Sequence, residues 1–172
     1  MQNYKPAVGT PIANISLPTV GGGTITVGGK RERHQFFVVY RGKHCPRCKR
    51  HLNKLQKMLP EFEEAGIDVL VASADPIEKS LADKDEFGWE FDLAYDLSED
   101  QMRELGVYIT DPISPNETDR RFAEPASFFI LPDGTTQIVI LSNGPAARPD
   151  MEELLDGMKF NISNNRPTRG MA

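Results

Sequence analysis

Phe36-Phe37-Val38-Val39-Tyr40-Arg41-Gly42-Lys43-His44-Cys45-Pro46-Arg47-Cys48 is the stretch on which the fold turns. Phe36 to Tyr40 are aromatic or β-branched with no polar alternation, the pattern of a strand buried on both faces. A short break follows, from Arg41 to His44. Apolar residues then recur at Leu52, Leu55, Met58, Leu59 and Phe62, which is one face of an amphipathic helix. Pro46 suits the first helical position, where its missing N–H has no partner to lose. Cys45 is therefore the expected N-cap, and Cys48 lies one turn inside on the same side. Their Cα atoms can approach the ~5.5 Å that a disulfide requires. Both sulfurs face the positive end of the helix dipole, which favours a thiolate. Pro60 is expected to kink or split the last turns of this helix.

Outward from this stretch, the chain to about Lys30 reads as a β-hairpin. Ala13–Leu17 and Thr24–Val27 alternate around Gly21-Gly22-Gly23. Ile67 to Ala72 is a second buried strand, introduced by the helix-stop Ala65-Gly66. Asp75-Pro76-Ile77-Glu78 reads as an N-cap, an N1 proline and a capping-box glutamate, opening a helix to about Phe87-Gly88. A short strand near Phe91–Tyr95 precedes a second capping box at Ser98-Glu99-Asp100-Gln101. Gly106 to Phe122 is loop-like. Ala126–Leu131 and Thr136–Leu141 flank Pro132-Asp133-Gly134, an antiparallel hairpin signal. Pro149-Asp150-Met151-Glu152 starts a last helix. Two β-α-β crossovers demand parallel strands and the Pro-Asp-Gly turn demands an antiparallel pair, so the fold class is α/β with a mixed central sheet flanked by helices. Residues 1–160 read as one domain and 161–172 as a polar tail.

The 172 residues are enough for one well-filled core, and 39% hydrophobic with 26% charged residues is globular composition. A net charge of −5 argues against nucleic acid or anionic membranes as partners. No apolar run approaches the ~20 residues of a membrane span. Met1 to Pro6 shows no charged-then-apolar leader, so a cytoplasmic location is expected.

The charge is unevenly spread. Arg41, Lys43, Arg47, Lys49, Arg50, Lys54 and Lys57 fall between residues 41 and 60 without a single carboxylate. Cations beside a thiol lower its pKa, so the exposed cysteine is expected to titrate well below ~8.5, supported by Lys43 and Arg47. Lys54 and Lys57, far along the helix, divide between this role and an ordinary solvated face.

The only two cysteines are three positions apart. A bridge closing so short a loop stabilises by roughly 2 kcal/mol on the chain-entropy model, which a domain of this size does not require. A close pair in a cytosolic protein reads as catalytic or metal-binding. Cys45, Cys48 and His51, with His44 adjacent, are nominal zinc ligands, but no distant second pair of cysteines exists to complete a structural site. Lys49 follows the second cysteine where a c-type haem needs histidine. His44 and His51 are therefore read as surface or site-lining groups, and no metal or organic cofactor is expected.

With this order of strand, break, CPxC and helix, and with Pro125-Ala126-Ser127-Phe128-Phe129-Ile130-Leu131-Pro132-Asp133-Gly134 later, the chain resembles the thioredoxin superfamily. More narrowly it resembles peroxiredoxin-like proteins of the AhpC/TSA (alkyl hydroperoxide reductase and thiol-specific antioxidant) family, from about residue 7 to 159. The resemblance implies a thioredoxin fold and a thiol-dependent oxidoreductase acting through Cys45 and Cys48 on a peroxide or disulfide. It also implies an external thiol reductant, thioredoxin-like or glutathione-like, and relatives that form homodimers. Two registers stay open. In the disulfide-reductase register Cys45 attacks, with His44 where a tryptophan is common. In the peroxiredoxin register Cys48 attacks and Cys45 replaces the family's threonine three residues earlier. The resemblance further implies a cis-proline at Pro125, packed beside the cysteines, and a peroxidatic arginine near Arg120 or Arg121. The competing classes are a non-catalytic thioredoxin-fold binding module and a zinc-stabilised protein.

Overall fold

The computed structural model describes residues 8–172. The reading of Met1 to Pro6 as lacking a leader lies outside the described residues. Strand β3 (His34–Val39) is central. It pairs in parallel with β4 (Ile67–Ala72), from His34 opposite Ile67 to Val39 opposite Ala72. On its other side it pairs antiparallel with β8 (Ala126–Ile130), Phe37 opposite Phe128. With β5 (Asp92–Ala94) beyond β4 and β9 (Thr136–Leu141) beyond β8, the five-stranded sheet runs β5-β4-β3-β8-β9. The remaining strands form two small ribbons, β1 (Ile15–Pro18) with β2 (Thr24–Val27), and β6 (Ile109–Thr110) with β7 (Phe122–Ala123).

Alternation along the strands builds two cores. Phe36, Val38 and Tyr40 face one way, with Val69, Val71, Leu93 and Phe129. Helix α1 (Pro46–Glu64) covers them through Leu52, Leu55, Met58 and Phe62, and α4 (Met151–Ser163) through Met151, Leu155 and Met158. Phe37 and Val39 face the other way, under the β1-β2 hairpin, the β6-β7 ribbon and α3 (Glu99–Leu105). Because β3 is buried on both faces, its apolar run carries no alternation. The end of β3 is thereby held rigidly from both sides, and the cysteine loop starts there.

Several local expectations are met in detail. Cys45 is the N-cap of α1 and Pro46 its first residue. Ser98 and Gln101 form the reciprocal capping box of α3. The Pro-Asp-Gly turn joins an antiparallel pair. Others are corrected. Pro60 lies inside α1 without splitting it. Helix α2 (Ile77–Phe87) has Pro76 at its N-cap and no side-chain cap, because the Asp75 carboxylate is engaged elsewhere. The expected cis bond before Pro125 is absent, since every described peptide bond is trans. Glu124 N–H donates to Tyr108 O, and the Pro125 carbonyl accepts from Ser142 N–H. These ladder-like bonds hold the segment extended, with the peptide bond in the trans form that X–Pro bonds ordinarily prefer by about 0.5–1 kcal/mol. At the C-terminal end, α4 continues three residues past Phe160, and Arg166 O accepts from Gln137 Nε2. No described helix is long and apolar enough to cross a membrane.

Candidate active site

Strand β3 ends at Val39, Tyr40 N–H still bonds to Ala72 O, and the chain then turns through Gly42 with φ +132. Cys45 N–H donates to Gly42 O at 3.1 Å, closing the turn that delivers Cys45 to the mouth of α1. The Cys45 sulfur caps the helix by accepting the Cys48 N–H at 3.3 Å. A helix N-terminus with unpaired N–H groups is a site for negative charge, so the cap itself favours thiolate over thiol.

Two arginines complete the electrostatics. Arg148, in the loop between β9 and α4, places Nη2 2.9 Å from the Cys48 sulfur and 3.8 Å from the Cys45 sulfur. Its Nε donates to Pro145 O at 2.7 Å, which fixes the guanidinium. The side-chain hydrogen bond from Cys48 pulls the Cys45 pKa down to about 5, helped by the Cys48 N–H, the Arg41 side chain and the charge of Arg148, against burial. Cys48 moves upward, through burial first and its bond to Cys45 second. The two sulfurs are thus pushed in opposite directions, Cys45 toward the thiolate and Cys48 toward the thiol.

Both cysteines are free thiols, yet neither is exposed: Cys45 is 1% and Cys48 0% accessible. The expectation of an exposed cysteine is corrected, since both sulfurs are buried. The loop between β9 and α4, with Arg148, packs over the helix end that the sequence leaves open.

Tertiary pairing redistributes the basic run. Lys43 Nζ lies 3.1 Å from the buried Asp83 carboxylate and Lys49 Nζ 3.6 Å from it, so both point into an ion pair behind the motif. Asp83 raises the Lys43 pKa accordingly. Arg41 contacts Glu117 at 3.4 Å and Glu124 at 3.2 Å, with its guanidinium over the Phe122 ring. Lys54 pairs with Asp150 and Glu152. Pro46 and Arg47 are exposed, and Arg47 makes no ion pair among the described residues. His44 packs edge-on to Phe122, its pKa lowered by burial and then by Arg41. His51 is lowered to about 4 by burial and then by Arg148. His51, Pro125, Ser127, Ser142 and Arg148 line one small cavity, so Pro125 shares a wall with the arginine at the sulfurs. Arg121 does not: it pairs with Asp111 and Glu99 on the surface. Arg120 pairs with Asp119 and Asp96. Among the described residues, no group of three or more His, Cys, Asp or Glu is arranged to hold a metal ion.

The arginine at the sulfurs is therefore Arg148, which sequence reasoning passed over. It is the only basic residue between Arg121 and Lys159, set just before the helix start at Pro149-Asp150. That isolation was the available signal.

Residues 8–139 match the AhpC/TSA family. The chain belongs to the AhpC/TSA family. Among solved structures, it is similar to a peroxiredoxin-like protein from Aquifex aeolicus, with TM-score 0.76, 21% identity, and 91% of this chain and 89% of that one covered. It is similar to peroxidoxin BcpB from Mycobacterium tuberculosis, with TM-score 0.74, 17% identity, and 95% and 100% covered. A PrxQ mutant from Xylella fastidiosa aligns with TM-score 0.76, 18% identity, and 92% and 99% covered. A comparison with curated protein sequences finds no match. At these identities the likeness shows the fold, and this AhpC/TSA chain has the expected thioredoxin-like α/β architecture with its N-terminal hairpin. Within it, Cys45 and Cys48 lie close together at the helix N-terminus.

Proposed function

We propose that this AhpC/TSA protein is a thiol peroxidase in which Cys45 is the attacking thiolate and Cys48 resolves. The observation that carries the reading is the Cys45 sulfur at the α1 N-cap, under the Cys48 N–H and 3.8 Å from the Arg148 guanidinium. The thiolate attacks one oxygen of the peroxide. The S–O bond forms as the O–O bond breaks, and the departing hydroxide or alkoxide takes up a proton. This leaves Cys45 as sulfenic acid. The Cys48 sulfur then attacks the Cys45 sulfur; its proton goes to the leaving hydroxyl, water departs and a Cys45–Cys48 disulfide remains. Two electrons from an external dithiol, or from two monothiols, restore both thiols. No cofactor enters the scheme. Burial favours a peroxide over a protein disulfide as the oxidant, because a sulfur with 1% of its residue accessible admits a small molecule more readily than a folded partner.

A second reading has Cys48 as the attacking residue, favoured by its 2.9 Å contact with Arg148. Cys45→Ser and Cys48→Ser variants separate the two. After one equivalent of hydrogen peroxide, the proposal expects a dimedone-trapped sulfenic acid on Cys45 in Cys48→Ser and almost none in Cys45→Ser. The opposite pattern assigns the attack to Cys48. Inertness of both variants and of the wild type ends the peroxidase reading.

A further inference from the structure

Asp75 reads in sequence as a helix cap, and the structure gives its carboxylate a different task. Its residue is 2% accessible, at the turn after β4. Its Oδ2 accepts the Lys43 backbone N–H at 2.6 Å. It sits so closely under the turn that a Cβ on Gly42 would fall 2.7 Å from Oδ2 and 2.9 Å from Oδ1. Gly42 is thus required twice, by its φ of +132 and by the carboxylate beneath it. The same turn offers Gly42 O to the Cys45 N–H. Asp75 itself is anchored, its N–H donating to Ser73 Oγ and its carbonyl accepting from Asp96 N–H. Between the end of β4 and the sulfur, hydrogen bonds alternate with covalent links: Asp75 Oδ2 accepts from Lys43 N–H, Gly42 O from Cys45 N–H, and the Cys45 sulfur from Cys48 N–H.

We propose that Asp75 is a positioning residue for Cys45, holding the Gly42–Lys43 turn so that the sulfur stays at the helix N-terminus where its thiolate is stabilised. The inference rests on Cys45 as the reactive thiolate, but not on what that thiolate attacks. Burial pushes the Asp75 pKa up, and the Lys43 N–H is the largest of the interactions that oppose this, ahead of the charges of Lys79 and Arg120. Small displacements of a reacting group are expensive in rate, on the order of 10²-fold for about 1 Å.

Sign separates this role from simple electrostatics. If Asp75 acted only as a nearby anion, removing its charge would favour the thiolate, and Asp75→Asn and Asp75→Ala would both lower the Cys45 midpoint. Positioning predicts otherwise. Asn keeps an oxygen for the Lys43 N–H, whereas Ala does not.

The experiment follows Cys45 ionisation by ultraviolet thiolate absorbance, and its reactivity by iodoacetamide alkylation, across pH in reduced protein. Asp75→Ala is expected to move the midpoint upward and slow alkylation at pH 5.5 by about tenfold or more, as loss of a charge-assisted anchor implies. Asp75→Asn is expected to stay within about threefold of wild type, the size of a fraction of one such bond. A Cys45 midpoint in Asp75→Ala that is unchanged or lower overturns the proposal, as does an Asp75→Asn variant as slow as Asp75→Ala. If Asp75→Ala does not fold, hydrogen exchange of the Lys43 amide decides. Protection in wild type and in Asp75→Asn supports the clamp, and exchange at the rate of an open loop in wild type refutes it. Neither readout uses peroxide, so a wild type inert to peroxide with these results intact defeats the peroxidase reading alone.

Discussion

Arg148→Met removes the guanidinium while keeping an unbranched side chain of similar reach. The lost interactions are a 2.9 Å contact with Cys48 and a 3.8 Å contact with Cys45. Hydrogen bonds to charged groups contribute about 1.5–3 kcal/mol, and each pKa unit corresponds to about 1.4 kcal/mol, so the Cys45 midpoint should rise by about one to two units. Starting from about 5, it would fall between about 6 and 7. The consequence depends on pH. At pH 5.5 the ionised fraction would drop from about three-quarters to between about a quarter and a few per cent. At pH 7.5 it would stay at about three-quarters or more. The assay is iodoacetamide alkylation of reduced protein across pH, with both cysteines kept and the alkylated sulfur identified by peptide mass spectrometry. The acid limb should shift to higher pH in Arg148→Met, with a loss of about 3- to 25-fold at pH 5.5 and less than about twofold at pH 7.5. An unmoved acid limb would show that Arg148 does not stabilise the thiolate, and the electrostatic account of the site would fail.

Three further outcomes follow from the same contacts. Cys48→Ser should react once with peroxide and then stall as sulfenic acid, proceeding to sulfinic acid with excess oxidant; mass spectrometry distinguishes one added oxygen from two. The reduced protein should gain stability as pH rises from about 5 to about 9. Cys45 has a lower pKa folded than unfolded, so the unfolded chain binds more protons across that window. Buried neutral His51 adds to the slope between about 4 and 6.5. Urea titrations of wild type and Cys45→Ser at several pH values test this, and Cys45→Ser should lose the upper part of the slope. Leu55→Ala, at a fully buried position on the inner face of α1, should destabilise by about 2–5 kcal/mol in the same titration while leaving the thiolate midpoint in place.

What the sequence made legible was local chemistry. The apolar run of β3, the 3–4 repeat of α1, the Cys45 cap and the Pro-Asp-Gly hairpin each depend on residues within a few positions of one another, and each is where its pattern puts it. Long-range pairing was not legible. The basic run from Arg41 to Lys57 looked like a field focused on the cysteines. Asp83, Glu117, Glu124 and Asp150, all distant in sequence, take up most of it. The cation at the sulfurs arrives from 100 residues away, on a loop with no signature beyond its isolation. Asp75 misled because its local pattern fits a cap, and only the fold brings the Lys43 amide to its carboxylate. Pro125 misled because the family stretch suggested a bond geometry that the extended segment around it does not adopt.

The central claim is that the buried pair reacts with peroxide as a two-electron couple. Trp89 stacks between Phe87 and Phe91 and meets Tyr40 edge-on, in the core that also contains both cysteines, so its fluorescence can report their oxidation. Stopped-flow mixing of reduced protein with one equivalent of hydrogen peroxide, with thiols counted over the same interval, is the most direct measurement. The account predicts a fast fluorescence change, the loss of both thiols and an intramolecular Cys45–Cys48 disulfide. Slow oxidation alongside ready exchange with a small model disulfide would contradict it and make the pair a disulfide reductase instead.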